Sequence, residues 1–391
     1  MKKKIYESHI GGIKWKISDN IYFKLTGRKI KSEYSPTIPV SIINLSSLIP
    51  NKNVYGLFWS TPTFKDTDCQ YLFHVYDKFK VDFVISTSSG NTVESMANNI
   101  KLYNQKSNKN IRSILLVPEI SSHKVSKNVI ENNPYVNFIV LKNSTLDSTR
   151  NFATKLIQKI FNKYSIVSAN EDLKTSAYSQ IGYLLDQLNI FSDNFCFVQT
   201  VSGGIGPAGV IEYSSQYNIN PEILVAQPFS SKSTPIIDAL KEHSLGRDPF
   251  KIFNKNVYET SDIEPTLGSS RPIYAIEKFI QYREGGGKIL GVKITEEDIS
   301  KFKNILLNTL VKVGIYPRIE LALKFFQLEK SGIIAFIGAI KSANRIESKN
   351  IIVNFTGRSP ETESTLPISA NPHVFYNPAQ GVDKLIKILN I

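Results

Sequence analysis

The sequence predicts an α/β protein with a mostly parallel sheet. Two observations lead there. Short apolar runs alternate with segments of helical period through the middle and C-terminal parts. In addition, 391 residues, 41% of them hydrophobic and 11% aromatic, suffice for two domains or for one domain with a large insertion.

The expected strands are Val81–Ile85, Ser113–Val117, Val136–Leu141, Asn194–Thr200, Ile223–Gln227, Ile289–Ile294 and Ile351–Phe355. Between them, the run from Thr92 to Tyr103 puts Val93, Met96, Ala97, Ile100 and Tyr103 on one helical face. Thr149 to Phe161 and Thr175 to Leu188 follow the same period and read as crossover helices. Thr295, followed by Glu296, Glu297 and Asp298, has the pattern of an N-cap with acids in the first turn, and Gly314 closes that helix. Ser261 to Arg271 and Ser359 to Asn377 lack a period and read as loops. The first ~50 residues hold strand-like pieces without an interpretable motif.

A formal net charge of +13 raises the question of nucleic acid, but apart from Lys2, Lys3 and Lys4 the basic residues are scattered. They read as a solvated surface, so no nucleic-acid partner is expected. The two cysteines, Cys69 and Cys196, lie far apart without His or Cys at metal-ligand spacing, so neither a metal site nor a disulfide framework is expected. The apolar run from Gly332 to Ile340 is far short of the ~18 residues a membrane helix needs. Glu7, His9, Lys14 and Lys16 interrupt what would have to be a signal core. A cytoplasmic location follows as the default expectation.

Three loops at expected strand ends carry possible chemistry. The strand ending at Ile85 runs into Ser86-Thr87-Ser88-Ser89-Gly90-Asn91-Thr92, which would aim amides and hydroxyls outward at a strand's carboxyl end, where open α/β sheets bind ligands. The second loop, Val201 to Gly209, contains Ser202-Gly203-Gly204-Ile205-Gly206. Its glycines and following helix would admit a phosphate dianion to backbone N–H groups. It also fits G-x-G-x-x-G, but the next strand closes on Gln227 instead of the acid a dinucleotide ribose requires. In the third, the strand at Phe355 empties into Thr356-Gly357, where a hydroxyl can meet a heteroaromatic nitrogen. Taken singly, each is an ordinary turn. Lys65, in Phe64-Lys65-Asp66 after Trp59, joins them as a lysine with apolar neighbours, the setting that favours the neutral, nucleophilic amine.

In order and rough spacing, Phe64-Lys65-Asp66, Ser88 to Thr92, the glycine loop 202–209 and Thr356-Gly357 resemble threonine synthase and the wider tryptophan-synthase-β-like group, the fold-type II enzymes that use pyridoxal 5′-phosphate (PLP). The likeness runs from about Thr61 to Ser359 and takes in Lys174 to Tyr178, Ile223 to Pro228 and Gly314 to Tyr316. It implies two α/β lobes with mostly parallel twisted sheets and an active site in the cleft between them. The larger, PLP-binding lobe would comprise residues 1–67 and 166–391, and residues 68–165 would form a smaller inserted lobe. It further implies PLP as cofactor, Lys65 as the Schiff-base and catalytic lysine, and Asn91 as partner of the cofactor's phenolate oxygen. Gly203, Gly204, Ile205 and Gly206 would cradle the phosphate, and Thr356 would face the pyridine nitrogen. Ser88, Ser89 and Thr92 would meet the substrate carboxylate. A homodimer follows from the same resemblance.

The substrate side departs from the pattern. Thr67 stands where an arginine is usual, no arginine occurs from Ser168 to Leu173, and Arg358-Ser359 replaces His-Gly. The expected activity is elimination or replacement on an amino-acid side chain, first of all O-phosphohomoserine to threonine and phosphate. β-Replacement or β-elimination on serine, O-phosphoserine or O-acetylserine is the alternative. A non-catalytic binding protein on the same fold is the reading from a different class.

Overall fold

The computed structural model describes residues 5–10, 13–18, 40–59, 64–66, 68–69, 72–73, 81–88, 90–125, 127–131, 133–164, 166–168, 171–187, 194–230, 233–256, 258, 261–264, 267, 271–314, 318–320, 323, 330–356 and 374–391. They divide into two compact units. One comprises 1–28, 65–174 and 363–391, and the other comprises 29–64 and 175–362.

The strands are β1 (Ile5–Ile10), β2 (Ile13–Ser18), β3 (Val40–Asn44), β4 (Asn53–Trp59), β5 (Phe83–Thr87), β6 (Arg112–Pro118), β7 (Val136–Leu141), β8 (Ile166–Ser168), β9 (Phe195–Thr200), β10 (Glu222–Pro228), β11 (Ile289–Ile294), β12 (Asn350–Phe355) and β13 (Val374–Tyr376). The principal helices are α1 (Asn91–Ser107), α2 (Leu146–Ile160), α3 (Glu171–Gln187), α4 (Ile205–Tyr217), α5 (Pro235–Ser244), α6 (Ile273–Glu284), α7 (Glu296–Lys312), α8 (Ser331–Lys341) and α9 (Val382–Leu389).

In the first unit β1 and β2 pair as an antiparallel hairpin, and the remaining strands form a wholly parallel sheet in the order β13-β7-β6-β5-β8. The second unit has a six-stranded sheet in the order β11-β10-β9-β12-β4-β3, parallel except for β3 at one edge. A central parallel strand is covered on both faces and must be apolar almost throughout, which is why β9 and β10 are buried along their whole length. Helix α8 covers the face to which Ala226 points, with Gly338 letting it approach. Phe197, Val225 and Ile352 lie in the core that includes Ala208 of α4, Ile236 of α5 and Phe279 of α6.

The expected strands from Ser113 onward are observed to within two residues. That starting at Val81 begins at Phe83. Thr295 caps α7 in a reciprocal box: its Oγ1 accepts from the Asp298 N–H at 3.2 Å, and its own N–H donates to Asp298 Oδ2 at 2.8 Å. The carboxylate that closes the box also receives Lys341 Nζ at 2.6 Å. Helix α2 starts three residues before the periodic run, because Thr145 caps it by accepting from the Ser148 N–H.

One expectation needs correction. The segment Ser359 to Asn377 is not loop throughout, since Val374–Tyr376 is strand β13, paired in parallel with β7. Three residues carry no period, so only the partner strand reveals them. Residues 363–391 group with 65–174 in one compact unit. The physical reason is packing: Tyr376, Val382 and Leu385 are buried in the same core as Ile139 of β7 and Phe152 and Leu156 of α2. Among the described residues no helix is long and apolar enough to cross a membrane.

Leu385, fully buried in that core, tests the assignment. Leu385→Ala is expected to lower unfolding stability by about 2–5 kcal/mol, as for other buried leucines. Denaturant titration followed by circular dichroism measures it, and a loss below about 0.5 kcal/mol would mean that α9 is not part of the unit's core.

Candidate functional site

Every described residue singled out for chemistry lies at or just beyond the carboxyl end of a parallel strand. Lys65 follows β4, Ser88, Asn91 and Thr92 follow β5, Gly203 to Gly206 follow β9, and Thr356 follows β12. Ser89 lies outside the described residues, as do Thr67, Gly357, Arg358 and Ser359.

In the first unit Lys65 is half-buried and opens a helical turn, its carbonyl accepting from the Cys69 N–H at 3.1 Å. Its neighbour Asp66 is 3% exposed. The Asp66 carboxylate accepts from Ser95 Oγ and from Asn99 Nδ2, both at 2.7 Å. These donors sit one turn apart on α1, the helix that begins at Asn91. The segment bearing the lysine is thus fastened by two charge-assisted bonds to the element that bears Asn91 and Thr92. Ser88 and Asn91 are half-buried, and Thr92 is buried in the first turn. Burial, reinforced by Asp68, pushes the Cys69 thiol well above its ordinary value, so it stays neutral and unreactive.

In the second unit three buried side chains form a chain across neighbouring strands, just below their carboxyl ends. Trp59 Nε1 on β4 donates to Asn354 Oδ1 on β12 at 2.7 Å. Asn354 Nδ2 donates in turn to Gln199 Oε1 on β9 at 3.0 Å. Beside Trp59, Phe64 is buried with its ring 5.5 Å from the Trp59 ring and 5.1 Å from that of Tyr178, stacked at 10° on the latter. The residue immediately before Lys65 therefore has a fixed seat.

The glycine turn explains its own composition. Gly204 has φ +74, and a Cβ there would lie 2.6 Å from Ala275 Cβ. At Gly206 a Cβ would fall 2.4 Å from Gln199 Nε2 and 2.7 Å from Oε1, so the glutamine amide rests directly on the first turn of α4. Among the described residues, a Cβ at Gly203 would meet nothing closer than Ile205 Cγ1 at 3.9 Å, so none of them closes that side of the turn to a ligand approaching the backbone. Helix α4 starts here with no acidic residue in its first turn, leaving its N–H groups and dipole favourable to an anion. Thr356 is half-buried, directly after Phe355, whose ring packs 5.1 Å from Phe58.

Asp66 was visible in the sequence only as part of a tripeptide, and Gln199 and Asn354 carried no assigned role. Their one signal was a polar residue next to the end of an otherwise apolar run, Phe-Cys-Phe-Val-Gln and Ile-Ile-Val-Asn.

No family model and no curated protein matches the sequence. Solved structures do. Isoform 2 of threonine deaminase from Solanum lycopersicum superposes with a TM-score of 0.57 at 17% identity, covering 89% of this chain and 83% of that one. O-Acetylserine-dependent cystathionine β-synthase from Helicobacter pylori gives 0.55 at 17% identity, over 86% of this chain and 96% of the other. Diaminopropionate ammonia lyase from Escherichia coli gives 0.58 at 12% identity, over 88% and 90%. The fold is that of the fold-type II PLP-dependent enzymes.

Two glycines of one turn should respond oppositely to a methyl group. Gly206→Ala drives a Cβ into the Gln199 amide and is expected to cost about 1–3 kcal/mol through overpacking and loss of the Asn354 bond. Gly203→Ala should stay within about 0.5 kcal/mol of the parent. Chemical denaturation of both variants checks this, and equal losses would contradict the geometry.

Proposed function

We propose that the chain is a PLP-dependent enzyme that eliminates or replaces a substituent on an amino-acid side chain. The observation that supports it most is the placement of Lys65, Asn91, the glycine turn and Thr356, each just beyond the carboxyl end of a parallel strand on a fold of this type. The residues fit the cofactor. Among the described residues nothing closes the turn at Gly203 where a phosphate would approach, the first turn of α4 is free of acids, and Phe64 and Asp66 flank Lys65 with fixed side chains.

In this reading Lys65 Nζ would hold the cofactor, and the N–H groups from Gly203 to Gly206 would hold its phosphate. The Asn91 side chain would meet the phenolic oxygen and the Thr356 hydroxyl the ring nitrogen. Bound there, PLP supplies an electron sink for a carbanion at the substrate's Cα. The chain's own residues do the rest. Ser88, Ser89 and Thr92 orient the substrate carboxylate with neutral donors. The Lys65 amine would be the base that takes the Cα proton. A hydroxyl at position 356 donates a hydrogen bond without demanding a protonated ring, which favours loss of a β or γ substituent over transamination.

Threonine formation from O-phosphohomoserine is the first specific activity we propose. The absence of arginine from Ser168 to Leu173 favours a second reading, β-replacement or β-elimination on serine, O-phosphoserine or O-acetylserine.

The purified protein mixed with PLP is expected to develop a visible absorption band that borohydride removes and that Lys65→Ala abolishes. Incubation with O-phosphohomoserine should then yield threonine and inorganic phosphate by chromatography. Turnover confined to the serine derivatives would replace threonine formation by the second reading. A colourless protein in excess PLP would sink both.

A further inference from the structure

The chain of amides in the second unit has a direction that chemistry alone determines. An indole N–H can only donate, so the atom of Asn354 facing Trp59 must be its carbonyl oxygen. The other end of that amide is then NH2, so the atom of Gln199 that receives it must be Oε1. Neither amide can be flipped without setting donor against donor. What remains at the far end is the Gln199 NH2 group, which has no hydrogen-bond partner among the described residues.

That group is neither remote from the glycine turn nor loosely held. Gln199 is 6% exposed, and its Nε2 lies where a Cβ on Gly206 would be only 2.4 Å away, against the first turn of the 13-residue helix α4. A helix N-terminus without acids and a donor of fixed orientation on a buried side chain therefore coincide at one place. Both favour the same chemistry, an oxyanion, and a phosphate can use a side-chain donor together with the backbone N–H groups.

We propose that Gln199 is a ligand-binding residue whose NH2 group donates to a phosphate oxygen held at the start of α4, with Trp59 and Asn354 as the positioning residues that aim it. The identification of that phosphate as the cofactor's rests on the function proposed above, whereas the anion site itself does not. Gln199→Glu is the sharpest change, since it keeps the acceptor toward Asn354 and replaces the outward NH2 with an oxygen.

Calorimetric titration of the full chain with inorganic phosphate, with PLP and with pyridoxal, which lacks the phosphate, separates the possibilities. Loss of a hydrogen bond to a charged group predicts that Q199E weakens binding of phosphate and of PLP by roughly ten- to a hundredfold. Uptake of pyridoxal on Lys65, read by the borohydride-sensitive band, should remain at the parent level. A folded Q199E that binds phosphate and PLP within twofold of the parent overturns the proposal. So does a parent protein that takes up pyridoxal but has no affinity for phosphate, an outcome that leaves Lys65 as the cofactor lysine. A parent that binds phosphate in a Gln199-dependent way yet shows no band supports the anion site and removes the PLP reading. Should Q199E not fold, Trp59→Phe keeps an aromatic ring on β4 while freeing both amides to turn. Its affinity for phosphate should fall several-fold, and an unchanged value would count against the proposal equally.

Discussion

A buried indole N–H must find an acceptor, because leaving it unsatisfied costs on the order of 1–3 kcal/mol. In this protein Trp59 finds it on the neighbouring strand, in Asn354, and that amide finds its own acceptor one strand further on, in Gln199. The result crosses β4, β12 and β9 near the carboxyl ends of all three. In sequence these positions lead on to Phe64 and Lys65 after β4, to Thr356 after β12, and to the glycine turn after β9. A single hydrogen-bonded chain therefore ties together the bases of three loops distant in sequence. Strand register is reinforced by the same contacts, since a shift of one residue would turn Asn354 to the opposite face of the sheet and break both bonds.

The apolar surroundings make the chain selective as well as cohesive. Leu57, Phe197 and Ile352 lie in the core that also contains Trp59. In such a medium a donor facing a donor is far more costly than in water, so the amides have one arrangement. Gly206 follows from it. A side chain at 206 would occupy the space of the Gln199 amide, so the glycine that permits close approach to the first turn of α4 is required by the sheet beneath before any ligand is considered. In the first unit Asp66 plays a comparable part through Ser95 and Asn99, fixing the backbone beside Lys65 to α1.

These contacts divide what was legible in the sequence from what was not. Period and turn chemistry are local, and they revealed β6, β7, β9 to β12, the cap at Thr295 and the loops that follow β5, β9 and β12. Strand β4 escaped notice although it lies inside the sheet, because Asn53 opens it and Gly56 interrupts its apolar run, both residues that disfavour strands. Strand β13 escaped because three residues cannot show alternation. Gln199 and Asn354 read as polar intrusions into apolar strands, and nothing local says which partner justifies them. Their partners lie 155 and 295 residues away, a separation that only the assembled sheet closes.

The same reasoning explains why a polar chain persists where hydrocarbon would serve. Apolar replacements of similar volume in a core are often neutral or stabilising, so stability is a weak reason for keeping three hydrogen-bonding groups at such depth. A reason that hydrocarbon cannot supply is direction. The indole fixes Asn354, Asn354 fixes Gln199, and the free end of the series is a donor resting against the first turn of α4 at Gly206. A leucine or methionine at each position could fill the space and preserve the sheet, yet would leave no donor there. The proposed anion site and the cohesion of the sheet are thus two ends of one set of bonds, with the acceptor ends spent on the core and the last donor left over at α4.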